Sequence, residues 1–467
     1  MKMCELFSFL DPSFNQEVLD LTADTRNIKE GSVFFLLPRA ESKFREYFEK
    51  SEEALAFVHS CSDHKDKGLF VENVESLYFS SLKLFYKESV ESLKVYGITG
   101  TNGKTTTAFM LQSLLEMYDV PTGLYGTVKN GFKDNNLETG LTSPTAEDFY
   151  RFNHENFNKG MKAVVCEVSS HALDQKRQSV EFLDGAAFTS FSQDHLDYHK
   201  TMEEYLQAKV KITTEALKEY GFIILSEGSS ELTSWPSKSI NIGDKYKVKI
   251  LERTSKGTNI SFSKGSDVVS GVIPLFGDYN VSNFSVALGM LCEHFGESFF
   301  PDERAFKDFV QIPGRMERID LNEESAVFVD YSHTPDSLEK ALETLKQFSK
   351  GQKIVSIFGC GGDRDKGKRP LMGSVSEKLA DFSIVTNDNP RTESPTLIVE
   401  DILKGFKEEV VVELDRGTAI EKALKMSINE PCYVLIAGKG HEKTQEIKGV
   451  KKYFSDREEV LRFIKNN

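Results

Sequence analysis

From about residue 90 onward, short β-branched and aliphatic runs alternate with helical patterns, the first series being "KVYGIT", "KAVVCEVS", "GAAFTSF" and "GFIILS". That alternation predicts an α/β fold with a parallel sheet covered by helices. A second series follows in "SAVFVDY", "KIVSIFG", "DFSIVT", "EVVVEL" and "CYVLIAG", separated by amphipathic stretches over 335–349 and 366–380. It reads as a separate α/β domain. Between the two, "QIPGRMERI" carries Pro313 and Gly314, which suit a hinge or an ordinary surface turn. Residues 1 to about 88 are less regular and richer in Phe, Glu and Ser. They predict one clear strand, "SVFFLLP", in a small N-terminal module whose topology the pattern does not define.

A length of 467 residues fits roughly three domains at about 150 residues each, drawn at 1–88, 89–313 and 314–467. Lys and Arg number 58 against 72 Asp and Glu, a formal charge of -14, which opposes general binding to nucleic acid or anionic membranes. Any anionic ligand must therefore meet local positive charge. The six cysteines lie far apart with no C-x-x-C pair, so reduced thiols in a cytosol are expected rather than a zinc ribbon or a disulfide framework. Glu5 and Asp11 stand where a signal peptide would be apolar, and no run approaches a membrane span in length. A soluble, cytoplasmic protein without membrane insertion is expected.

The chemistry concentrates in "GITGTNGKTTT", where a strand, then glycines, then Lys104 and Thr105 open a helix. Backbone N–H groups and a helix N-terminus then face an anion, which predicts a nucleotide phosphate site. Lys104 is placed to reach β- and γ-phosphates and Thr105 to put its hydroxyl on Mg²⁺, while Gly100 and Gly103 let the backbone approach. The strict Walker spacing fails narrowly, because Ile98 stands where its first glycine belongs and Gly97 comes one place early. Glu167, ending an apolar strand, is a candidate metal ligand or a solvated strand-end carboxylate. Asp194, His195, Asp197 and His199 form a metal-capable cluster that also reads as a polar loop with a helix cap. Lys209 alone reads as a helix-surface cation.

These stretches, with "LTSPT", "EVSSHALDQKR", "FSQDHLDYH", "YLQAK", "GRMER", "VDYSHTPDSL", "GCGGDRDKGKRP", "DNPR" and "AGKGHE", stand in the order found in Mur ligases, which the chain resembles over residues 90 to 460. The resemblance implies a three-domain architecture with a central P-loop-type ATPase domain and a C-terminal Rossmann-like domain. It implies ATP-dependent, ADP-forming ligation through an acyl phosphate, with ATP and Mg²⁺ required. Gly100, Thr101, Asn102, Gly103, Lys104, Thr105 and Thr106 would hold the ATP phosphates. Asn280, Asn283, Arg315 and Asp330 would hold the rest of the nucleotide. Thr105, Glu167, His195 and a carbamylated Lys209 would surround the metal, with Lys104, Lys209 and His195 catalytic.

Within the family, the resemblance points to UDP-N-acetylmuramoyl-L-Ala-D-Glu and meso-diaminopimelate as substrates. Thr25, Arg26, Thr142, Ser143, Ser169, Gln175 and Arg177 would grip the first, and Arg364, Asp388, Asn389, Arg391, Gly438 and Glu442 the second. Arg391 suits the extra carboxylate that separates diaminopimelate from lysine, although "DNPR" also reads as a turn initiated by Asn-Pro. No nucleic-acid partner and a monomeric state are expected. The chain departs from the family pattern in "LLPRAESKFREYFEKS", which lacks the usual glycine-containing loop, and in "GFIILSEGSS", which lacks the usual Asn and paired acids. "FGCGGDR" resembles a dinucleotide fingerprint, but Arg364 replaces its last glycine, which disfavours a dehydrogenase. A folylpolyglutamate synthase-like ligase and a non-catalytic nucleotide-binding scaffold remain the alternatives.

Overall fold

The computed structural model describes residues 1–466 apart from 129, 134, 137–142, 178–181, 237, 255 and 307–310. Its N-terminal sheet is four-stranded and wholly parallel, in the order β1 (Asp20–Thr22), β2 (Ser32–Phe35), β3 (Ala56–His59) and β4 (Leu69–Phe70). Only β2, within "SVFFLLP", has the apolar density that the sequence pattern detects. The helix Lys87–Ser92 then leads into the next sheet.

Eight strands make that second sheet: β5 (Lys94–Thr99), β6 (Thr122–Tyr125), β7 (Asn130–Phe132), β8 (Asn135–Asn136), β9 (Ala163–Glu167), β10 (Leu183–Phe188), β11 (Leu217–Leu225) and β12 (Ser239–Asn241). Their order is β12-β11-β10-β5-β9-β6-β7-β8. The predicted strand series falls on β5, β9, β10 and β11, which run parallel; β7 and β8 are antiparallel additions at one edge. The helices Lys104–Met117 and Asp278–Phe295 pack on one face, burying Leu111, Leu114, Phe284 and Leu288 with Ile98 and Val165.

Three antiparallel strands, β13 (Lys247–Thr254), β14 (Gly257–Lys264) and β15 (Asp267–Ile273), form a separate small sheet. It carries no continuous apolar run, because charged residues such as Lys247, Lys249 and Glu252 alternate with the inward positions. The parallel-sheet expectation did not include it.

The last large sheet takes β16 (Glu317–Asp320), β17 (Ala326–Asp330), β18 (Lys353–Phe358), β19 (Phe382–Val385), β20 (Val411–Val412) and β21 (Cys432–Ala437) in the order β16-β17-β21-β18-β19-β20. All are parallel except the edge strand β16. Alternate residues serve two cores, Phe328 and Leu435 on one face and Val327, Val329, Val434 and Ile436 on the other. Both faces are helix-covered, so the strands read as unbroken apolar runs. A hairpin of β22 (Thr444–Ile447) and β23 (Val450–Tyr453) follows. Among the described residues no helix is long and apolar enough to cross a membrane.

Candidate active site

In open α/β sheets, ligands bind beyond the carboxyl ends of the strands, where the connections leave in opposite directions. In the second sheet that point is β5, whose neighbours are β9 and β10. The register pairs Ile98 with Glu167 and Thr99 with Phe188, so three loops leave the sheet at one level. In the last sheet the corresponding point lies around β17, β21 and β18, with Asp330 paired to Ala437. A cavity of about 830 Å³ lies between the two sheets and is lined from both.

The loop after β5 is held open by backbone-directed hydrogen bonds rather than by a filled interior. Thr101 N donates to Ser190 O at 2.8 Å and Asn102 N to Ser190 Oγ at 2.9 Å, while Thr189 Oγ1 donates to Asn102 O at 2.6 Å. Gly103, at φ +85°, stands at the N-cap of the helix Lys104–Met117, where a Cβ would run into the Asn283 amide. Only glycine fits there. Lys104 folds back over the loop, its Nζ donating to Gly100 O at 2.9 Å and Thr101 O at 2.8 Å. Burial lowers its pKa below the ordinary lysine value.

Glu167 is only 1 % exposed, which sets aside the solvated strand-end reading. Its carboxylate accepts from Thr105 Oγ1 at 2.8 Å and from Thr127 N at 2.6 Å. A hydroxyl and a carboxylate side by side are hard oxygen donors of the kind magnesium takes, so this pair fits the metal. Among the described residues no three His, Cys, Asp or Glu side chains converge as a cage, so a cation here would draw on a mixed set of oxygens. His195 lines the same cavity, and burial pushes its pKa down to about 4, leaving the ring neutral at pH 7. His199 turns its Nε2 to Ser170 Oγ at 3.0 Å.

Lys209 is likewise 1 % exposed and no surface cation. Its Nζ donates to Gly100 O at 2.7 Å and lies over the Tyr205 ring at 4.4 Å. Burial, with Lys104 nearby, lowers its pKa well below the ordinary lysine value and so favours the neutral amine. A neutral amine is the form that can add CO₂.

From the other sheet, Arg315 Nη2 donates to Thr105 Oγ1 at 3.2 Å, and its guanidinium stacks on Tyr331 at 4.5 Å. Asp330 accepts from Met316 N at 2.7 Å and Ser332 N at 2.9 Å; burial raises its pKa. Asn280 and Asn283 are buried on one face of the helix Asp278–Phe295, where Asn283 Nδ2 donates to Asn280 Oδ1 at 3.3 Å. Thr106 lines the cavity beside them.

A second group sits on loops adjoining the cavity. Asn389 Nδ2 donates to Glu442 Oε2 at 2.8 Å, and Arg391 Nη1 to Gly362 O at 2.6 Å. Asp388 is buried with Oδ1 lacking a hydrogen-bond partner, and burial raises its pKa. Gly438 N donates to Asp330 O at 3.1 Å, which joins this group to β17. Arg364 alone of the group lines the cavity.

The residues expected to hold the uridine substrate are more scattered. Ser169 and Arg177 line the cavity, and burial with nearby Arg39 lowers the Arg177 pKa. Gln175 is exposed and accepts from Arg177 Nε at 2.8 Å. Ser143 is buried and donates to Glu167 O at 2.9 Å, bracing the strand end. Thr25 and Arg26 lie in a turn capped by Asp24, with Arg26 pointing to solvent. Thr142 lies outside the described residues.

Several groups at the site stand inside the stretches that carry the resemblance, yet nothing in their residue type or spacing singles them out. Lys439 is fully buried and donates to Glu442 Oε2 at 3.0 Å, Asn389 Oδ1 at 3.2 Å and Thr444 O at 2.6 Å. His171 and His333 line the cavity, the first with its ring 4.9 Å from that of His195. A buried lysine and two histidines on polar loops look ordinary until the fold brings them together.

Facing α/β sheets around a glycine cradle, with paired Thr and Glu oxygens, define a nucleotide-phosphate-handling enzyme class. Comparison with known proteins narrows this. Residues 98–291 match the Mur ligase middle domain, and residues 314–440 the Mur ligase, glutamate ligase domain. A UDP-N-acetylmuramoyl-L-alanyl-D-glutamate–2,6-diaminopimelate ligase of Aquifex aeolicus is 37% identical, covering 98% of this chain and 96% of that protein. Its namesake in Coxiella burnetii is 36% identical over 95% of each. A solved structure of a ligase of this name superposes with a TM-score of 0.71 at 27% identity, covering 100% of this chain and 99% of that one. A Mycobacterium tuberculosis folylpolyglutamate synthase complexed with ADP and AMPPCP shares the fold, with a TM-score of 0.61 at 18% identity over 77% of this chain and 91% of that one. The chain belongs to the Mur ligase family.

Proposed function

We propose that this protein joins meso-diaminopimelate to the D-glutamate γ-carboxylate of UDP-N-acetylmuramoyl-L-Ala-D-Glu, using ATP, in peptidoglycan precursor synthesis. A carboxylate is a poor electrophile until one oxygen becomes a leaving group. Transfer of the γ-phosphoryl group to that oxygen releases ADP and leaves an acyl phosphate. The amino nitrogen then attacks the acyl carbon, phosphate departs with the original carboxylate oxygen, and the nitrogen loses a proton.

Lys104, Arg315 and the loop N–H groups neutralise the phosphate oxygens as charge moves onto them. Thr105 and Glu167, with His195 and carbamylated Lys209, would hold Mg²⁺, which when bound supplies positive charge to the phosphate oxygens. Apposition of the two sheets would shield the acyl phosphate from water. Arg391 would pair with the distal carboxylate of diaminopimelate, and the Asn389–Glu442 pair and Asp388 would take its ammonium. Arg177 and Ser169 would face the anionic nucleotide sugar.

The observation that carries this reading is a cavity with the glycine cradle on one wall and Arg364 and Arg315 on the other. Near full-length relatives bearing the diaminopimelate ligase name favour it over a folylpolyglutamate ligase. Retention of Lys104, Thr105, Glu167, His195 and Lys209 favours it over a non-catalytic scaffold. The test is phosphate release from ATP with the UDP-muramoyl dipeptide. Release should require an amino acid and be much faster with meso-diaminopimelate than with L-lysine; equal rates would overturn the assigned specificity.

A further inference from the structure

The hairpin β22–β23 stands outside the cavity, yet it is joined to the loop Asp388–Arg391 by four hydrogen bonds, three through its backbone and one through the Gln445 side chain. Arg391 N donates to Glu446 O at 3.0 Å, and Lys448 N donates to Arg391 O at 2.6 Å, a parallel bridge centred on Ile447. Gln445 Nε2 donates to Asp388 O at 2.8 Å, and Glu446 N to Asn389 Oδ1 at 3.0 Å. The last bond, with Lys439, holds the Asn389 carbonyl toward the hairpin and leaves its NH₂ for Glu442.

Arg391 needs such support. Its φ is +51°, a left-handed conformation that a residue with a Cβ occupies only when its surroundings enforce it. With both its N–H and C=O bonded to the hairpin, the backbone is fixed in that conformation and the guanidinium is delivered onto Gly362 O. The hairpin itself closes through a two-residue turn, Lys448 at φ +51° and Gly449 at φ +75°, the pattern that keeps paired strands in register.

We infer that the hairpin Thr444–Tyr453 is a positioning element for amino-acid selection, holding Asn389 and Arg391 in the arrangement that accepts the incoming amino acid. This rests on the proposed roles of Asn389, Arg391 and Glu442. The hairpin residues do not line the cavity, and their effect passes through the loop they hold.

Gly449 offers a clean perturbation, because a Cβ there meets nothing within 4 Å, so Gly449→Val disturbs only the turn. Asn tolerates the left-handed region, so Gly449→Asn serves as the conservative control. In the full-length enzyme, Gly449→Val should raise the KM for meso-diaminopimelate about tenfold, with the ATP and UDP-dipeptide KM values unchanged. Discrimination against L-lysine should fall, and hydrogen exchange at the Arg391 and Lys448 amides should accelerate. Gly449→Asn should restore all three properties. Gln445→Ala should give the same KM pattern more weakly without altering the turn. An unchanged diaminopimelate KM in both Gly449→Val and Gln445→Ala, or an equal rise for all three substrates, would overturn the inference. A wild-type enzyme that does not use meso-diaminopimelate would instead overturn the substrate assignment on which the inference rests.

Discussion

Arg315 reaches from the start of the C-terminal sheet to donate to Thr105 Oγ1 at 3.2 Å, placing a fixed cation over the mouth of the glycine cradle. The contact joins two residues 210 positions apart, and under the proposed function a transferring phosphoryl group would develop charge beside it. Arg315→Ala should lower kcat by about 100-fold, in the range found when a transition-state donor is removed. Arg315→Lys should recover little, since an ammonium cannot reproduce the planar stack on Tyr331. Steady-state kinetics with all three substrates checks this, and a wild-type kcat in Arg315→Ala would remove the residue from the chemistry.

Half-buried Lys104 and buried Lys209 share the carbonyl of Gly100, and they are expected to fail differently. Lys104→Ala should abolish turnover by removing the phosphate cation. Lys209 should carry CO₂ as a carbamate, detectable as an added CO₂ mass on the peptide containing "YLQAK" under bicarbonate. Activity should fall when CO₂ is stripped. A fully active Lys104→Ala enzyme would make the phosphate assignment wrong, and activity indifferent to CO₂ would make Lys209 a plain structural amine.

Arg391→Ala should raise the KM for meso-diaminopimelate far more than that for ATP, because its guanidinium is proposed to face only the amino acid. Comparative KM measurements decide the matter. An unchanged amino-acid KM would take Arg391 out of that pocket.

Glu147 fastens the N-terminal sheet to the rest of the molecule. Its buried carboxylate accepts from Thr22 Oγ1 at 2.8 Å, Ala23 N at 3.1 Å, Asn27 Nδ2 at 2.8 Å and Arg151 Nη2 at 2.9 Å, so it holds both ends of the Asp24–Arg26 turn. Glu147→Ala removes the acceptor of Ala23 N and Asn27 Nδ2, while Arg151 keeps Asp20 and Thr22 keeps Asp24 O, and should cost about 1–3 kcal/mol in denaturant unfolding. It should also raise the KM for the UDP substrate. A loss well below 1 kcal/mol would show that water replaces the carboxylate at no penalty.

Stability should decline in mild acid. Burial, reinforced by Arg315, pushes the His441 pKa from 6.5 down to about 4. Between these values the unfolded chain binds a proton that the folded chain does not, so the stability this neutral ring provides is lost as pH falls from about 6.5 to about 4. The His441→Asn variant should show a shallower fall in Tm over that interval. Parallel pH profiles for the two proteins would exclude His441 as a contributor.

Much of the site was legible because it lies on loops at the ends of apolar strands. "KVYGIT" running into Gly100–Thr105, or "CYVLIAG" into Gly438–Glu442, announces both the strand and the chemistry that leaves it. Position alone misjudged burial: Glu167 and Lys209 resemble surface charges in the chain and become nearly inaccessible only when β5, β9 and the helix Met202–Lys211 meet. The small antiparallel sheet was hidden by its charged outward residues, and Glu147 by its place in an acidic helix. The hairpin "TQEIKGVKKY" offers one cue, the glycine of its turn, since its function depends on backbone groups that no side-chain pattern encodes.

The central claim is that ATP activates the substrate's carboxylate by phosphorylating it. The most direct test is to label the D-glutamate γ-carboxylate of the UDP-muramoyl dipeptide with ¹⁸O, run the reaction with ATP and meso-diaminopimelate, and measure the isotope in released phosphate. The account predicts one labelled oxygen in phosphate for each amide formed. Amide formation with unlabelled phosphate would contradict it.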